Sequence, residues 1–298
     1  MSKYIPTGKG FFSGIGLMEL GIMQAGCEIV QSLDIDKQAT DVMRINPKLF
    51  SHKILTRDIS TITIEEQPKT DFIVATYPCT KYSDIADLHG TRTGDELYLH
   101  AFRHFAIEQP EMYVLENVPG MKKFPVVMEA MSKLPGYYVY EFCPLKSSTW
   151  LPQERDRLII IGTKRPFSIS YPEAPKVKPR LRDIIETDAP IEPLNPSIIS
   201  RLNGDYRDRP IITDPDDDNA IAPCCVAHYA KDKGTRLVKD RRHPQGVRSY
   251  TIREYARLQG VPDEMILPTK GYAYKQIGNG VPVDMGRWIG QQIMRYFN

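Results

Sequence analysis

The sequence lacks the marks of several functional classes. No apolar run approaches the roughly 18 residues needed to cross a bilayer, and the opening Met1-Ser2-Lys3-Tyr4-Ile5-Pro6 leads into Gly-rich sequence without a continuous apolar signal-peptide core. A cytoplasmic protein with no membrane contact is expected. Cysteine is scarce. Cys27, Cys79, Cys143, Cys224 and Cys225 form neither a CxxC pair nor a Cys/His zinc spacing. Such an odd, scattered set suits a reducing compartment and predicts neither disulfide nor metal. No repeat or low-complexity tract is present. An excess of one charge is missing too: 39 Lys and Arg stand against 37 Asp and Glu, and a net +2 announces no polyanionic partner by itself.

What the total charge hides, its distribution shows. From Lys231 to Arg248 seven Lys or Arg accompany two Asp. The segment reads either as a solvated loop or, if the rest of the chain points to DNA, as a set of phosphate contacts.

The first half alternates strands and helices. A Gly-rich turn follows Lys9-Gly10-Phe11-Phe12, and a helix is expected from Leu17 to Ala25. Strands are expected at Glu28–Leu33, Phe72–Ala75, Met112–Leu115 and Leu158–Gly162, with helices near Gln38–Arg44 and Leu97–Glu108. That alternation predicts a doubly wound α/β sheet with ligands beyond the carboxyl ends of its strands. Composition then shifts. The 87 residues from Lys164 to Tyr250 hold 11 of the 24 prolines and the acidic run Asp214-Pro215-Asp216-Asp217-Asp218, which reads as a small, loop-rich module. Helical period returns at Ile252–Leu258 and at Asp284–Tyr296, where Met285, Trp288, Ile289, Gln292, Ile293 and Tyr296 recur at 3–4 spacing.

Phe12-Ser13-Gly14-Ile15-Gly16 ahead of a helix is a turn in which backbone amides can approach a ligand at the helix N-terminus. The next glycine, Gly21, comes too late for the GxGxxG of dinucleotide enzymes, which argues against a nicotinamide oxidoreductase. Asp34, 18 residues after Gly16, stands where an acid takes ribose hydroxyls, and Asp58 ends the next element. Taken alone the glycines also suit a plain tight turn and the acids a solvated loop; in series they describe an adenosine site. Cys79 in Tyr77-Pro78-Cys79-Thr80 follows an apolar strand on a loop stiffened by proline. An isolated cysteine is most often a small core residue. A nucleophilic one needs cationic neighbours to hold its thiolate, which Arg155 and Arg157 would supply. Glu116, directly after a further apolar strand, is costly to bury without a partner.

These motifs, in this order, resemble those of the DNA cytosine 5-methyltransferases of bacterial or phage type, over nearly the whole chain. Phe12-Ser13-Gly14-Ile15-Gly16 is similar to the cofactor motif, Pro78-Cys79 with Ser83 to the nucleophile motif, Glu116-Asn117-Val118 to the acid motif, and Gln153, Arg155 and Arg157 to the QxRxR motif. Arg248 to Gly260, with Thr251, Arg253, Glu254, Arg257, Leu258 and Gln259, and Tyr274 to Pro282 resemble the two late motifs. Three positions depart from the family pattern: Thr80 replaces the usual Gln, Thr76 the usual Gly, and Thr149-Trp150-Leu151 the usual Tyr-Gly-Val.

The resemblance implies a Rossmann-like, S-adenosylmethionine-dependent methyltransferase fold with a small inserted target-recognition domain. The catalytic domain would be residues 1–183 completed by 272–298, and the recognition domain 184–271. It implies catalytic roles for Cys79, Glu116, Arg155 and Arg157, with Arg155 orienting the base. S-adenosyl-L-methionine would rest on Phe12, Ser13, Gly14, Ile15, Gly16 and Leu17, on Asp34, Ile35, Asp58, Ile59 and Pro78, and on Asn279, Gly280 and Val281. Double-stranded DNA would meet Ser83, Gln153, Arg241 and Arg242 and fill a cleft between the domains. A monomer is implied, with a cognate restriction endonuclease as partner. An RNA (tRNA) cytosine 5-methyltransferase of the same fold would use the same Cys79 and Glu116, and a binding protein that has lost catalysis is a further alternative.

Overall fold

The computed structural model describes residues 3–78, 97–204, 210–269 and 271–298. The chain forms two compact units: Met1–Lys146 with Asp156–Pro172 and Met285–Asn298, and Ser147–Arg155 with Glu173–Asp284.

The first unit is built on a seven-stranded sheet. Its strands are β1 (Thr7–Phe11), β2 (Glu28–Asp34), β3 (Lys53–Thr56), β4 (Phe72–Ala75), β5 (Met112–Asn117), β6 (Tyr138–Lys146) and β7 (Asp156–Thr163), in the order β3-β2-β1-β4-β5-β7-β6. The pairs from β3 through β5 are parallel, and β7 runs antiparallel to both β5 and β6. Interior position explains the sequence of β5. It pairs on both sides, and all six residues of Met-Tyr-Val-Leu-Glu-Asn are buried, so the strand reads as a continuous apolar run up to Glu116. Glu116 therefore lies on the strand and not after it.

Helices α1 (Leu17–Gln24), α2 (Lys37–Arg44), α3 (Leu97–Glu108) and α4 (Pro125–Ser132) belong to this unit. Asp36 starts α2 by accepting Gln38 N at 3.0 Å, a side-chain cap typical of Asp. β6 was not expected from the sequence. Its residues are mostly exposed or half-buried, so the apolar signal that marks interior strands is weak there. The final helix, Val283–Phe297, buries Met285, Trp288, Ile289, Gln292, Ile293 and Tyr296, the stripe that the 3–4 spacing predicts.

The second unit holds a three-stranded sheet, β10-β9-β8, from β8 (Ile211–Thr213), β9 (Arg236–Lys239) and β10 (Val247–Ser249). Its helices are α5 (Leu181–Ile184), α6 (Pro196–Asn203), α7 (Ile252–Arg257) and α8 (Gly271–Asn279). Such short elements agree with the Pro-rich composition. A small apolar cluster of Leu194, Ile198, Leu237 and Val247 is supplemented by packed tyrosines: Tyr229 stacks on Tyr255 at 4.8 Å, and Tyr274 meets both edge-on. The unit boundaries differ from the expected 183/184 and 271/272, because 147–155, 173–183 and 272–284 pack with the second unit. Among the described residues no helix is long and apolar enough to cross a membrane.

Candidate active site

β1 leads into a turn with unusual backbone. Phe12 has φ 60°, Gly14 φ 55° and Gly16 φ 78°. The left-handed region is open to glycine but costs a bulky side chain of order 1 kcal/mol, and such strain concentrates where a ligand is held. Asp34, at the end of β2, fastens the turn: Gly14 N donates to Oδ2 at 2.7 Å and Asp36 N to Oδ1 at 2.8 Å. Burial pushes its carboxyl pKa up, against the downward pull of those amides. Each oxygen keeps a lone pair for a further donor. The next residue, Ile35, is 66% exposed, an apolar surface beside a carboxylate.

The Ser13 hydroxyl in the same turn is buried beside the Glu19 carboxyl. These features suit a ligand with vicinal hydroxyls and a flat ring. Asp58 accepts Ser60 N at 2.9 Å, which holds its carboxyl below the usual range. Ile15, Leu17 and Ile59 are buried in the core, so only their backbones can serve a ligand.

One residue of this turn escaped sequence reading. Glu19, in the first turn of α1, is 1% exposed, and its Oε2 has no hydrogen-bond partner among the described residues. Burial pushes its pKa up to about 7, opposed by the neighbouring Ser13 hydroxyl and assisted by the charge of Asp34. An acid inside the otherwise apolar Leu17-Met18-Glu19-Leu20-Gly21-Ile22 was the available signal.

β4 and β5 bring the acid motif and the approach to the nucleophile motif together. Ala75 lies in register with Leu115, which sets Thr76-Tyr77-Pro78 beside the carboxyl end of β5. Asn117 Nδ2 donates to Tyr77 O at 3.2 Å, while Thr76 N and Oγ1 donate to Phe11 O at 3.1 Å and Phe12 O at 2.8 Å. The departure at Thr76 thus gains a hydroxyl that ties this loop to the Phe12 turn. Pro78 ends the described segment; Cys79, Thr80 and Ser83 lie outside the described residues. Glu116 is 7% exposed, and Arg157 Nε on β7 reaches its Oε1 at 2.8 Å.

The QxRxR motif divides between the units. Arg157 belongs to the first and meets Glu116, whereas Gln153 and Arg155 belong to the second. Arg155 is 3% exposed. Its Nη1 donates to Cys225 O at 2.8 Å and Cys224 Sγ at 3.2 Å, and its Nη2 to Gly278 O at 2.8 Å and Gly280 O at 2.7 Å. These four bonds brace the 278–280 segment, and Arg155 Nε is buried with no hydrogen-bond partner among the described residues. Gln153 is fully buried: Nε2 donates to Leu258 O at 2.6 Å and Gln259 Oε1 at 3.0 Å, and Oε1 accepts Cys225 N at 2.9 Å. It joins two chain segments and has no surface for DNA, contrary to expectation. Gln259 Nε2 also donates to Gly280 O at 3.1 Å, so the pinned carbonyls around Asn279 leave its side chain exposed, while Val281 is buried.

The basic run is largely neutralised. Arg242 forms a two-pronged pair with Asp240, through Nε at 2.9 Å and Nη2 at 2.6 Å. Arg248, 2% exposed, bridges Asp240 and Glu254, and Glu254 in turn accepts Thr251 N and Glu186 N. Lys239 and Arg241 face Asp214 and Asp216 at 2.5 and 3.0 Å. Arg241 and Arg242, expected on phosphate, are thus both paired with acids of their own unit.

The family model for C-5 cytosine-specific DNA methylases matches residues 9–208 and 225–295. The type II methyltransferase M.Bsp6I of Bacillus sp. (strain RFL6) is 27% identical over 315 residues, covering 95% of this chain and 97% of that protein. The Entamoeba histolytica methyltransferase EhMeth has a similar fold, with a TM-score of 0.78 at 17% identity over 99% of this chain and 98% of its own. So does the S. pombe Dnmt2 methyltransferase, with a TM-score of 0.78 at 19% identity over 98% and 99%. With the family model matched over most of its length, the chain belongs to the C-5 cytosine-specific DNA methylases and is a DNA cytosine-5 methyltransferase.

Proposed function

We propose that the chain methylates carbon 5 of a cytosine rotated out of a specific site in double-stranded DNA, using S-adenosyl-L-methionine and a covalent bond from Cys79. One set of contacts carries this reading. Thr76 and Asn117 tie the residues just before Cys79 both to the Phe12 turn and to the strand of Glu116. The segment that leads to Cys79, the strand of Glu116 and the Phe12 turn are thereby tied together, which supports the reading.

S-adenosylmethionine supplies an electrophilic methyl group. Asp34, with lone pairs left on both oxygens, would hold the ribose hydroxyls, and Phe12, Ile35 and Asp58 would hold the adenine. The backbones of Ile15 and Leu17 would complete the set. Rotating the cytosine out of the stack costs a few kcal/mol and exposes carbons 5 and 6. The Cys79 thiolate adds to carbon 6. Glu116, beside Arg157, would deliver a proton to ring nitrogen N3 and accept from the exocyclic amine, so that the charge entering the ring is neutralised and carbon 5 can take the methyl group, with S-adenosylhomocysteine as the leaving group. After methylation, loss of the carbon-5 proton expels Cys79. The protein acts in the cytoplasm as a monomer, with residues 184–271 choosing the site and a restriction endonuclease as its genetic partner.

Duplex DNA carrying 5-fluorocytosine at the target tests the assignment, since fluorine cannot leave as a proton does. The wild type should form an adduct that survives denaturant, and Cys79→Ser should lose it while still binding cofactor. An adduct that persists in Cys79→Ser removes Cys79 from the mechanism. Methyl transfer to tRNA and never to duplex DNA would overturn the choice of substrate.

A further inference from the structure

The second unit contains a cavity of about 830 Å³, within the range of ligand sites. Its lining includes Glu192, Asn195, Lys231, Lys233, Arg253 and Tyr274. The charges of the basic run sort themselves around it. Of the seven cations, Lys239, Arg241, Arg242 and Arg248 each face a carboxylate; Lys231, Lys233 and Arg236 have none within ion-pair distance among the described residues, and of these three the two lysines line the cavity. Asp232, between them, is taken by Arg201 at 3.1 Å. The unneutralised lysines of the run therefore converge on the cavity.

The opposite polarity is present as well. Glu192 and the buried Tyr274 ring line the same cavity. Lys233 Nζ stands 5.4 Å from the centre of the same ring. Of the other acids on the wall, Glu186 accepts the Thr251 hydroxyl at 2.5 Å, leaving Glu192 as the carboxylate with no ion-pair partner and no such hydrogen bond among the described residues. Arg253 donates to Pro262 O and Met265 O.

A site that offers two ammonium groups and one carboxylate, in a volume fit for a sugar, a base and a phosphate, matches one class of ligand. We propose that this cavity receives a nucleotide unit of the nucleic-acid substrate, with its phosphate on Lys231 and Lys233 and a base amino group donating to Glu192. The proposal rests on the nucleic-acid reading above and moves the phosphate contacts from Arg241 and Arg242 to the two lysines. Lysine neutralises phosphate as a point charge without reading sequence, whereas a carboxylate accepting from an amino group distinguishes cytosine, adenine and guanine from thymine.

Salt dependence of binding separates these roles. Each phosphate contact contributes about −0.9 to the slope of log K against log salt. Lys231→Ala/Lys233→Ala, which removes the one phosphate contact, should flatten the slope by roughly 0.9 for every duplex tested, and Arg241→Ala should leave it nearly unchanged. Glu192→Gln should keep the slope and alter the order of preference among target duplexes. Thermal melts of each variant identify loss of fold, and Lys231→Arg/Lys233→Arg should restore the slope. An unchanged slope in the folded lysine double variant, or a flattened one in Arg241→Ala alone, overturns the phosphate assignment; unchanged preference in Glu192→Gln overturns the base contact. If the wild type modifies tRNA and no duplex, the DNA reading fails separately, and the same slopes measured on tRNA still decide the cavity.

Discussion

Glu19 makes a quantitative prediction about pH. Glu19 is 1% exposed next to the Phe12–Gly16 turn, and its pKa in the folded chain is about 7, against 4.5 for an unperturbed glutamate. The folded state therefore holds this proton more tightly than the unfolded state. The stability it contributes is fully present below pH 4.5 and is lost as pH rises through 7. Each pKa unit is worth about 1.4 kcal/mol, so the whole shift amounts to roughly 3 kcal/mol, of which about 2–3 kcal/mol falls between pH 5 and pH 8.5. Glu19→Gln keeps the shape and removes the titration. Urea unfolding of wild type and variant at several pH values is the assay, because their difference cancels every other titrating group. The variant should gain on the wild type by that amount between pH 5 and 8.5. A difference that stays constant with pH would refute the reasoning and mean that Glu19 ionises as an ordinary surface acid does.

Asp34→Ala removes a carboxylate expected to accept two ribose hydroxyls, at roughly 1.5–3 kcal/mol for a charge-assisted bond, and should weaken S-adenosylmethionine binding at least tenfold. Calorimetry showing unchanged affinity would reject the ribose role. Breaking the Glu116–Arg157 pair, both side chains about a tenth exposed, should cost on the order of 3–5 kcal/mol in Arg157→Ala. In a double-mutant cycle with Glu116→Ala the losses should be less than additive, and strict additivity would mean that the pair is not coupled. Gln153→Ala leaves buried polar groups without partners at about 1–3 kcal/mol each, so it should lower the melting temperature and leave the salt slope of DNA binding as it is. A changed slope with unchanged stability would return Gln153 to the DNA interface. Thr76→Val loses the bond to Phe12 O; turnover should fall with the fold intact, and full activity would show that this tie is dispensable.

Much of the site was legible because its chemistry is local. The turn from Phe12 to Gly16 needs residues tolerant of left-handed backbone within five positions, and Asp34 follows at the end of the next strand, so neighbours in sequence are neighbours in space. The interior strands β4 and β5 announce themselves as apolar runs because they are paired on both sides and buried on both faces. The edge strand β6 carries no such run and was missed.

Partnership across long separations was not legible. Arg155 and Arg157 are two residues apart and look equivalent, yet one is enclosed by carbonyls 70 to 125 residues away and the other meets Glu116. A guanidinium has the same donors wherever it stands, and only packing decides which acceptors surround it. The same holds for the basic run, where the sequence shows seven cations and the fold chooses which are neutralised by acids from elsewhere. By itself the sequence determined the α/β class, the ordered motifs and hence the chemistry, through backbone tolerance and burial period, which act over a few residues. Tertiary structure alone decided which charged side chains remain available to a ligand, because that depends on desolvation and on partners brought from distant parts of the chain.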